Sequence, residues 1–246
     1  MYASQVTLST NPFLKYRQAN QPVRFGKTES SKSDQAIDDL KTIEAYQNNT
    51  LTQFSRLAEI DPEETAIGRL FLGNKPQKGA KILEAASGTG VYIRWLLKQG
   101  YDPYGIDAWK NAVNLAKQQY PELNNRLHIA YLSQIKEKFN KNEFDIVFSP
   151  GTVHNLPSKN AVEETVKNFK YLLKNKGIVF ISIPEDTSIE PSLDKNRRDR
   201  IGRLYLDLNS QDLIKIFTEN GFSLKEKRSY YPESEENWTA LLFVKN

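Results

Sequence analysis

The chain has 246 residues, a hydrophobic content of 39%, a charged content of 26% and no cysteine. These values suit one globular domain with some added structure. The lack of cysteine excludes disulfides, thiolate metal sites and cysteine nucleophiles, and we expect no metal. The net charge of +4 arises within residues 1–32, so the other 214 residues sum to zero. A body without excess positive charge argues against a nucleic-acid surface.

Three regions differ in composition. Residues 1–32 are polar and basic and are expected to form an irregular arm, residues 33–78 are expected to form helices that cap the active site, and residues 79–246 are expected to form the core domain. Residues 184–209 are polar and highly charged and form a candidate lid. Met1–Gln5 lack the layout of a signal peptide, and no apolar stretch reaches the roughly 20 residues of a membrane span. We therefore expect a cytoplasmic protein without membrane contact.

The N-terminal region shows helical periodicity. From Ser33 the apolar residues recur at intervals of three to five, which predicts an amphipathic helix; they are Ile37, Leu40, Ile43, Tyr46, Leu51, Phe54 and Leu57. The run Asp61-Pro62-Glu63-Glu64 predicts an N-cap followed by a helix that ends near Gly73.

Strands and helices then alternate. Strands are predicted at Lys81–Glu84, Tyr104–Asp107, Arg126–Leu132, Phe144–Ser149 and Gly177–Ile183, with helices at Tyr92–Leu97, Trp109–Tyr120 and Ala161–Leu173. A last helix with Ser210 as its N-cap precedes strands at Phe222–Tyr231 and Trp238–Lys245. This alternation predicts an α/β fold, a doubly wound and mostly parallel sheet of about seven strands with the last one antiparallel.

The segment Glu84-Ala85-Ala86-Ser87-Gly88-Thr89-Gly90 is a strand that ends in a carboxylate and turns tightly into a helix. Such corners bind nucleotides, because small residues let the backbone approach the ligand and the helix start offers free amides. A dinucleotide fingerprint starting at Gly88 requires Gly or Ala at position 93, which is Ile, and the chain has no P-loop motif. The pattern that remains is acidic-x-Gly-x-Gly-x-Gly, with Ala86 in place of the first glycine.

On these residues the chain resembles a class I S-adenosylmethionine-dependent methyltransferase of the small-molecule type. The resemblance covers residues 79–183 and, more loosely, residues 210–246, and it implies a Rossmann-like fold with S-adenosylmethionine as cofactor and S-adenosylhomocysteine as product. Ala86 is expected to be tolerated if its backbone angles are ordinary. In this family Asp107, 23 residues after Glu84, would accept the ribose hydroxyls, and Leu132-Ser133 stand where an adenine-binding Asp is common.

The cofactor-binding residues that the resemblance implies are Glu84, Ala85, Ala86, Gly88, Gly90, Asp107, Ala108, Trp109, Leu132, Ser133, Ser149 and Pro150. The resemblance also places the acceptor near the segment after Ser149. Ser149-Pro150-Gly151-Thr152 differs from the Asp/Asn-Pro-Pro-aromatic signature of nucleobase amine methyltransferases, and the lack of cysteine excludes the carbon-5 pyrimidine enzymes.

Candidate catalytic residues are His154 and Tyr205. His154 is suited to act as a general base, but a histidine that only forms a hydrogen bond in its loop explains the sequence equally well. Candidate substrate-binding residues are Tyr46, Thr152, Val153, His154, Glu185 and Tyr205. Charged residues of the candidate lid are Glu185, Asp186, Glu190, Asp207, Arg197, Arg198, Arg200 and Arg203.

The expected function is methyl transfer to nitrogen or oxygen of a small-molecule acceptor. The acidic residues after Ile183 favour an amine-bearing acceptor. Three alternatives stay open: an RNA or protein methyltransferase that uses the basic arm, a non-catalytic S-adenosylmethionine-binding scaffold and, less favoured, a nicotinamide-dependent enzyme. Nucleic acid is not an expected partner, and we expect a monomer or a homodimer.

Overall fold

The computed structural model describes residues 32–50, 52, 57, 59–185, 197–199, 201–230 and 237–246. The predicted basic arm, apart from Lys32, lies outside these residues. So do Leu51, Phe54, Asp186, Glu190, Arg200 and Tyr231. Within the described residues no helix is long and apolar enough to cross a membrane.

Two helices precede the sheet. Helix α1 covers Lys32–Asn48, and helix α2 covers Ala66–Asn74. The single helix predicted after Asp61 is wrong, because two caps act in succession. Asp61 accepts the Glu63 amide and starts a 3-10 turn at Pro62–Glu64, whereas the Thr65 hydroxyl accepts the Gly68 amide and starts α2.

The described residues contain one seven-stranded sheet, which confirms the predicted fold class. Its strands are β1 (Lys81–Ala85), β2 (Asp102–Asp107), β3 (Leu127–Ile129), β4 (Phe144–Ser149), β5 (Leu173–Pro184), β6 (Phe222–Tyr230) and β7 (Trp238–Lys245). The order across the sheet is β3-β2-β1-β4-β5-β7-β6, and β7 is antiparallel to both of its neighbours. The strands that follow β1 in the chain lie first on one side of it (β2, β3) and then, from β4 onward, on its other side. Ligands of such sheets bind at this switch point, beyond the carboxyl ends of the strands.

The helices of the core domain cover both faces of the sheet. They are α3 (Val91–Lys98), α4 (Lys110–Gln119), α5 (Ile135–Lys138), α6 (Lys159–Leu172) and α7 (Ser210–Glu219). One face packs an aromatic cluster from α2, α3 and the sheet that includes Phe71, Trp95 and Phe148. The other face packs α6 and α7 around residues such as Val166 and Phe217.

Two predicted boundaries are corrected. The third strand stops at Ile129 instead of Leu132, because it is an edge strand whose only neighbour, β2, ends where Asp107 pairs with Ile129. The last helix is capped by Asn209 rather than Ser210. The Asn209 side chain accepts the amides of Gln211 and Asp212, while the Ser210 hydroxyl donates to Glu185 Oε1 at 2.8 Å.

Candidate cofactor and acceptor site

Asp107 organises the corner between β1 and α3. Its Oδ2 accepts the Gly88 amide at 2.6 Å, and its Oδ1 accepts the Trp109 amide at 2.6 Å. The carboxylate therefore ties the loop after β1 to the loop after β2, and each oxygen keeps a lone pair that can accept a ligand hydroxyl. The Ser87 amide donates to the Ile106 carbonyl at 3.0 Å and adds a backbone link between the same two loops.

The corner has three residues with positive φ angles. Ala86 has φ 63°, Gly88 has φ 48° and Gly90 has φ 73°. The condition on which Ala86 was expected to be tolerated, ordinary backbone angles, is therefore not met: this alanine occupies the left-handed conformation that glycine adopts without strain. The corner keeps its shape although the residue at the first glycine position carries a Cβ atom.

Replacing Ala86 with glycine is expected to stabilise the protein by about 0.5–1 kcal/mol. The left-handed conformation costs alanine about 1–2 kcal/mol, and the greater backbone entropy of an unfolded glycine offsets part of the gain. Urea unfolding of the two proteins measures the difference. Ala112→Gly, inside helix α4, is the matched control and should destabilise the protein. A loss of stability on Ala86→Gly would contradict the proposed strain.

A cavity of about 620 Å³ lies between this corner, α1 and the loops after β3 and β4. Predicted site residues in its wall are Tyr46, Glu84, Ala86, Gly88, Asp107, Ala108, Trp109, Leu132, Ser133, Pro150 and Thr152. The structure thus brings most of the predicted cofactor residues into one cavity. Predicted residues that do not line it are Ala85, Gly90, Ser149, Val153, His154, Glu185 and Tyr205.

Two carboxyl groups meet in the cavity wall. Burial raises the pKa of Glu84 well above its ordinary value, and the nearby charge of Asp107 raises it further. Burial also raises the pKa of Asp107, while the amides of Trp109 and Gly88 act in the opposite direction. Glu84 Oε2 and Ser87 Oγ are buried and have no hydrogen-bond partner within the described part of the chain. Unpaired buried polar atoms in a cavity wall fit a polar ligand that completes their hydrogen bonds.

His154 lies outside this cavity. Its ring is buried between Tyr205 and Trp238, with ring centroids 5.2 Å and 5.7 Å away. Burial, together with the charge of Arg203, lowers the pKa of His154 to about 3. A base must reach the proton that it removes. The geometry therefore favours a packing role for His154 and gives no support to a role as general base.

Tyr205 packs against the same histidine. It is buried, its backbone pairs with Arg197, and the Arg203 guanidinium lies 5.6 Å from its ring centroid. Among the other predicted residues, Val153 is fully buried in the core. Ser149 is also fully buried, and its hydroxyl has no partner among the described residues.

Glu185 is held at the end of β5 by an ion pair. Lys227 lies 3.1 Å from Glu185 Oε1, and hydrogen bonds from Ser210, Thr239 and Lys227 lower the pKa of this carboxyl group despite its partial burial. A carboxylate that is already paired is poorly suited to bind a second cation. Asp207 is exposed.

The described part of the candidate lid packs against α1. Arg203 Nε lies 2.6 Å from Asp199 Oδ2, and the Leu204 amide donates to Thr42 Oγ1 at 3.3 Å. Asn155 Nδ2 donates to the Leu204 carbonyl at 2.6 Å, and the Tyr46 hydroxyl donates to Asn155 Oδ1 at 3.4 Å. The lid, α1 and the loop after β4 therefore form one connected wall.

Several residues of the site were not predicted from the sequence. Asp39, Thr42 and Asn155 line the cavity. Gly105 supports it from below, since a Cβ atom there would lie 2.6 Å from the Ser87 side chain. The sequence does not single out Asp39. It lies two positions after Ile37 of the apolar helical stripe, and most acids in such positions face solvent.

Comparisons with known proteins agree with this geometry. The family model described as a methyltransferase domain matches residues 83–181, which include the corner, Asp107 and strands β2 to β4. Over these residues the chain resembles a class I S-adenosylmethionine-dependent methyltransferase domain. The cofactor of this domain type is S-adenosylmethionine, and the residues present fit it: an acid with two free lone pairs, unpaired polar atoms and a loop of small residues.

The names of the relatives state different acceptor atoms, oxygen in one and nitrogen in another. A ubiquinone biosynthesis O-methyltransferase of Pelagibacter ubique is 30% identical over 110 residues, a match that covers 44% of this chain and 44% of that protein. The chain thus matches less than half the length of this curated relative.

Solved structures share the fold of the methyltransferase domain. The 1,6-didemethyltoxoflavin-N1-methyltransferase of Burkholderia thailandensis, solved with 1,6-didemethyltoxoflavin and S-adenosylhomocysteine bound, superposes with a TM-score of 0.68. It is 16% identical and covers 90% of this chain and 93% of its own. A methyltransferase of Methanosarcina mazei superposes with a TM-score of 0.60 at 16% identity over 71% of this chain and 96% of its own.

Proposed function

We propose that the protein is a methyltransferase that transfers a methyl group from S-adenosylmethionine to a nitrogen of a small-molecule, amine-bearing acceptor. When bound, the cofactor supplies an electrophilic methyl group on a sulfonium. The protein then has to hold the acceptor in line and exclude water, and such alignment contributes on the order of 7–11 kcal/mol to catalysis. Among the proposed cofactor ligands, Asp107 would accept the ribose hydroxyls, while Leu132 and Ser133 would border the adenine.

The shape of the site supports a small acceptor. Residues of α1 and of three loops line the cavity. Its volume of about 620 Å³ lies in the range of small-molecule sites. Beyond the proposed cofactor residues, its wall includes Thr42, Ile43, Tyr46 and Asn155. A cavity of this size suits a metabolite better than a polymer.

The preference for an amine rests on the environment of Asp39. Its side chain lines the cavity and is half-buried, and burial raises its pKa. No ion pair or hydrogen bond compensates it among the described residues. A desolvated carboxylate favours a nearby cation, and an ammonium group would supply one. The positive charge of Arg203, which lies near Tyr46, is already matched by Asp199.

Aromatic rings line the same cavity as this acid. Tyr46 and Trp109 have ring centroids 5.0 Å apart, and both line the cavity. Aromatic faces attract cations, and the attraction adds about 0.5–2 kcal/mol where water is excluded. An ammonium-bearing acceptor therefore gains charge attraction from this wall, whereas a neutral alcohol gains only a hydrogen bond.

The test uses matched amines and alcohols with the same carbon skeletons, together with S-adenosylmethionine labelled in its methyl group. We expect label in the amines, and we expect Asp39→Asn to raise their KM about tenfold or more, since a hydrogen bond to a charged group contributes about 1.5–3 kcal/mol. The affinity for S-adenosylhomocysteine should stay unchanged.

Glu122→Gln, an exposed acid before β3, is the matched control. Label in the alcohols alone would contradict the amine and favour oxygen transfer, the reaction in the name of the Pelagibacter relative. Cofactor binding with no acceptor labelled in a broad panel would favour a non-catalytic scaffold. Loss of RNA binding on deleting residues 1–32 would favour a macromolecular acceptor instead.

A further inference from the structure

A second cavity lies at the opposite edge of the sheet, where the parallel strands begin. Its volume is about 700 Å³, and four lysines line it: Lys141, Lys167, Lys170 and Lys245. They come from the loop before β4, from α6 and from the end of β7. None of them lines the cofactor cavity. Because residues 33–246 have no net charge, four lysines around one hollow are a local concentration of positive charge.

Lys245 shows that these charges interact. Its side chain is largely buried, and its ammonium group donates to the Leu173 carbonyl and to Asn142 Oδ1. Both acceptors are neutral. Burial lowers the pKa of Lys245, and the charges of Lys170 and Lys141 lower it further. The lysines around the hollow therefore repel one another. Because the Lys245 side chain is buried, it cannot move away from the others.

Negative charge near the hollow is sparse. Glu219 is the one acid among the described lining residues. Its Oε1 atom lies 3.8 Å from Nζ of Lys215, a lysine that does not line the hollow. Lys167 pairs with the exposed Glu164. Lys141 and Lys170 have no ion-pair partner within the described part of the chain. Their charges are thus available to an anion.

We propose that this basic cavity binds a soluble ligand with two or more linked phosphate groups. Ammonium groups from three separate elements surround a hollow, so they can contact several phosphates at once. Amide side chains of Asn142, Asn175 and Asn220 also line the hollow, and amide groups can donate to phosphate oxygens. A nucleic-acid surface would instead require a basic stripe along the body, which the sequence lacks.

The bound anion would relieve the repulsion among the lysines and so stabilise the folded protein. The probe is inorganic tripolyphosphate, titrated calorimetrically into the full chain at about 0.1 M salt, with thermal unfolding followed in parallel. We expect saturable binding at one site per chain and a rise in Tm. The double variant Lys141→Gln/Lys170→Gln should bind at least tenfold more weakly and should show little rise in Tm.

Lys98→Gln/Lys117→Gln is the control, because it removes the same charge and neither lysine lines the hollow. It should bind tripolyphosphate like the wild type. Both double variants should bind S-adenosylhomocysteine normally, so this proposal can fail while the methyltransferase assignment stands. Equal tripolyphosphate binding by the two double variants, or no saturable binding by the wild type, would overturn it. Tighter binding of an RNA hairpin than of tripolyphosphate, lost in the same variant, would overturn the small-ligand assignment.

Discussion

Replacing Asp107 with alanine is expected to weaken the binding of S-adenosylhomocysteine about 10- to 150-fold. Hydrogen bonds to a charged group contribute about 1.5–3 kcal/mol, and each 1.4 kcal/mol is a factor of ten in affinity. The structure adds a second cost, because the Gly88 and Trp109 amides lose their acceptor. The two loops that carry the proposed cofactor residues would then lose the carboxylate that joins them. Calorimetric titration measures the loss.

Two variants sharpen this experiment. Asp107→Asn keeps one oxygen acceptor and should lie between the wild type and Asp107→Ala. Asp212→Asn removes an exposed carboxylate that pairs with Lys159 and should leave the affinity unchanged, because surface ion pairs contribute little and this one lies on α7. Wild-type affinity in Asp107→Ala would remove Asp107 from the cofactor site.

Replacing His154 with alanine is expected to destabilise the protein by about 3 kcal/mol, as truncation of a buried aromatic ring does. The ring fills the space between Tyr205 and Trp238, so its loss would loosen the contact between the lid and β7. Urea unfolding measures the effect. A loss below about 0.5 kcal/mol would contradict a packing role, since only surface substitutions are that mild.

The protonation of His154 is a sharper test of the same point. Because the pKa is lowered to about 3 in the folded protein, the unfolded chain binds a proton below about pH 6.5 that the folded chain does not. Stability should therefore fall as the pH drops from about 6.5 towards 3, and His154→Phe should lessen that fall.

Nuclear magnetic resonance can follow the imidazole directly, because the chain has two histidines. His128, whose pKa is also lowered by burial and by Lys117 and Lys138, is assigned from the variant that lacks His154. We expect the His154 ring signals to stay constant between pH 8 and pH 5. A titration near pH 6.5 would contradict the buried, neutral imidazole and would restore it as a candidate base.

The sequence was informative where the chemistry is local. The corner from Glu84 to Gly90 is contiguous, and Asp107 follows it at the end of the next strand, so both could be located by motif and spacing. Strand β4 was predicted with the bounds that the structure shows, because its apolar run is flanked by polar residues. Parallel pairing of β1, β2 and β4 then brings their carboxyl ends together.

The remaining features depend on contacts between distant residues. The Tyr46 hydroxyl reaches Asn155, which is 109 positions away, and no local pattern predicts such a contact. His154 follows a strand that borders the site, yet the 3-10 turn at Val153–Asn155 places its ring away from the cavity. Ala86 shows the opposite case: a residue type that suggests ordinary angles is held at a positive φ by the loop around it.

Calorimetric titration of the full chain with S-adenosylhomocysteine tests the central assignment most directly. The corner, the free lone pairs of Asp107 and the unpaired atoms of Glu84 and Ser87 predict saturable heat with one molecule bound per chain. A flat titration with both S-adenosylhomocysteine and S-adenosylmethionine would contradict the assigned cofactor site, whatever the acceptor.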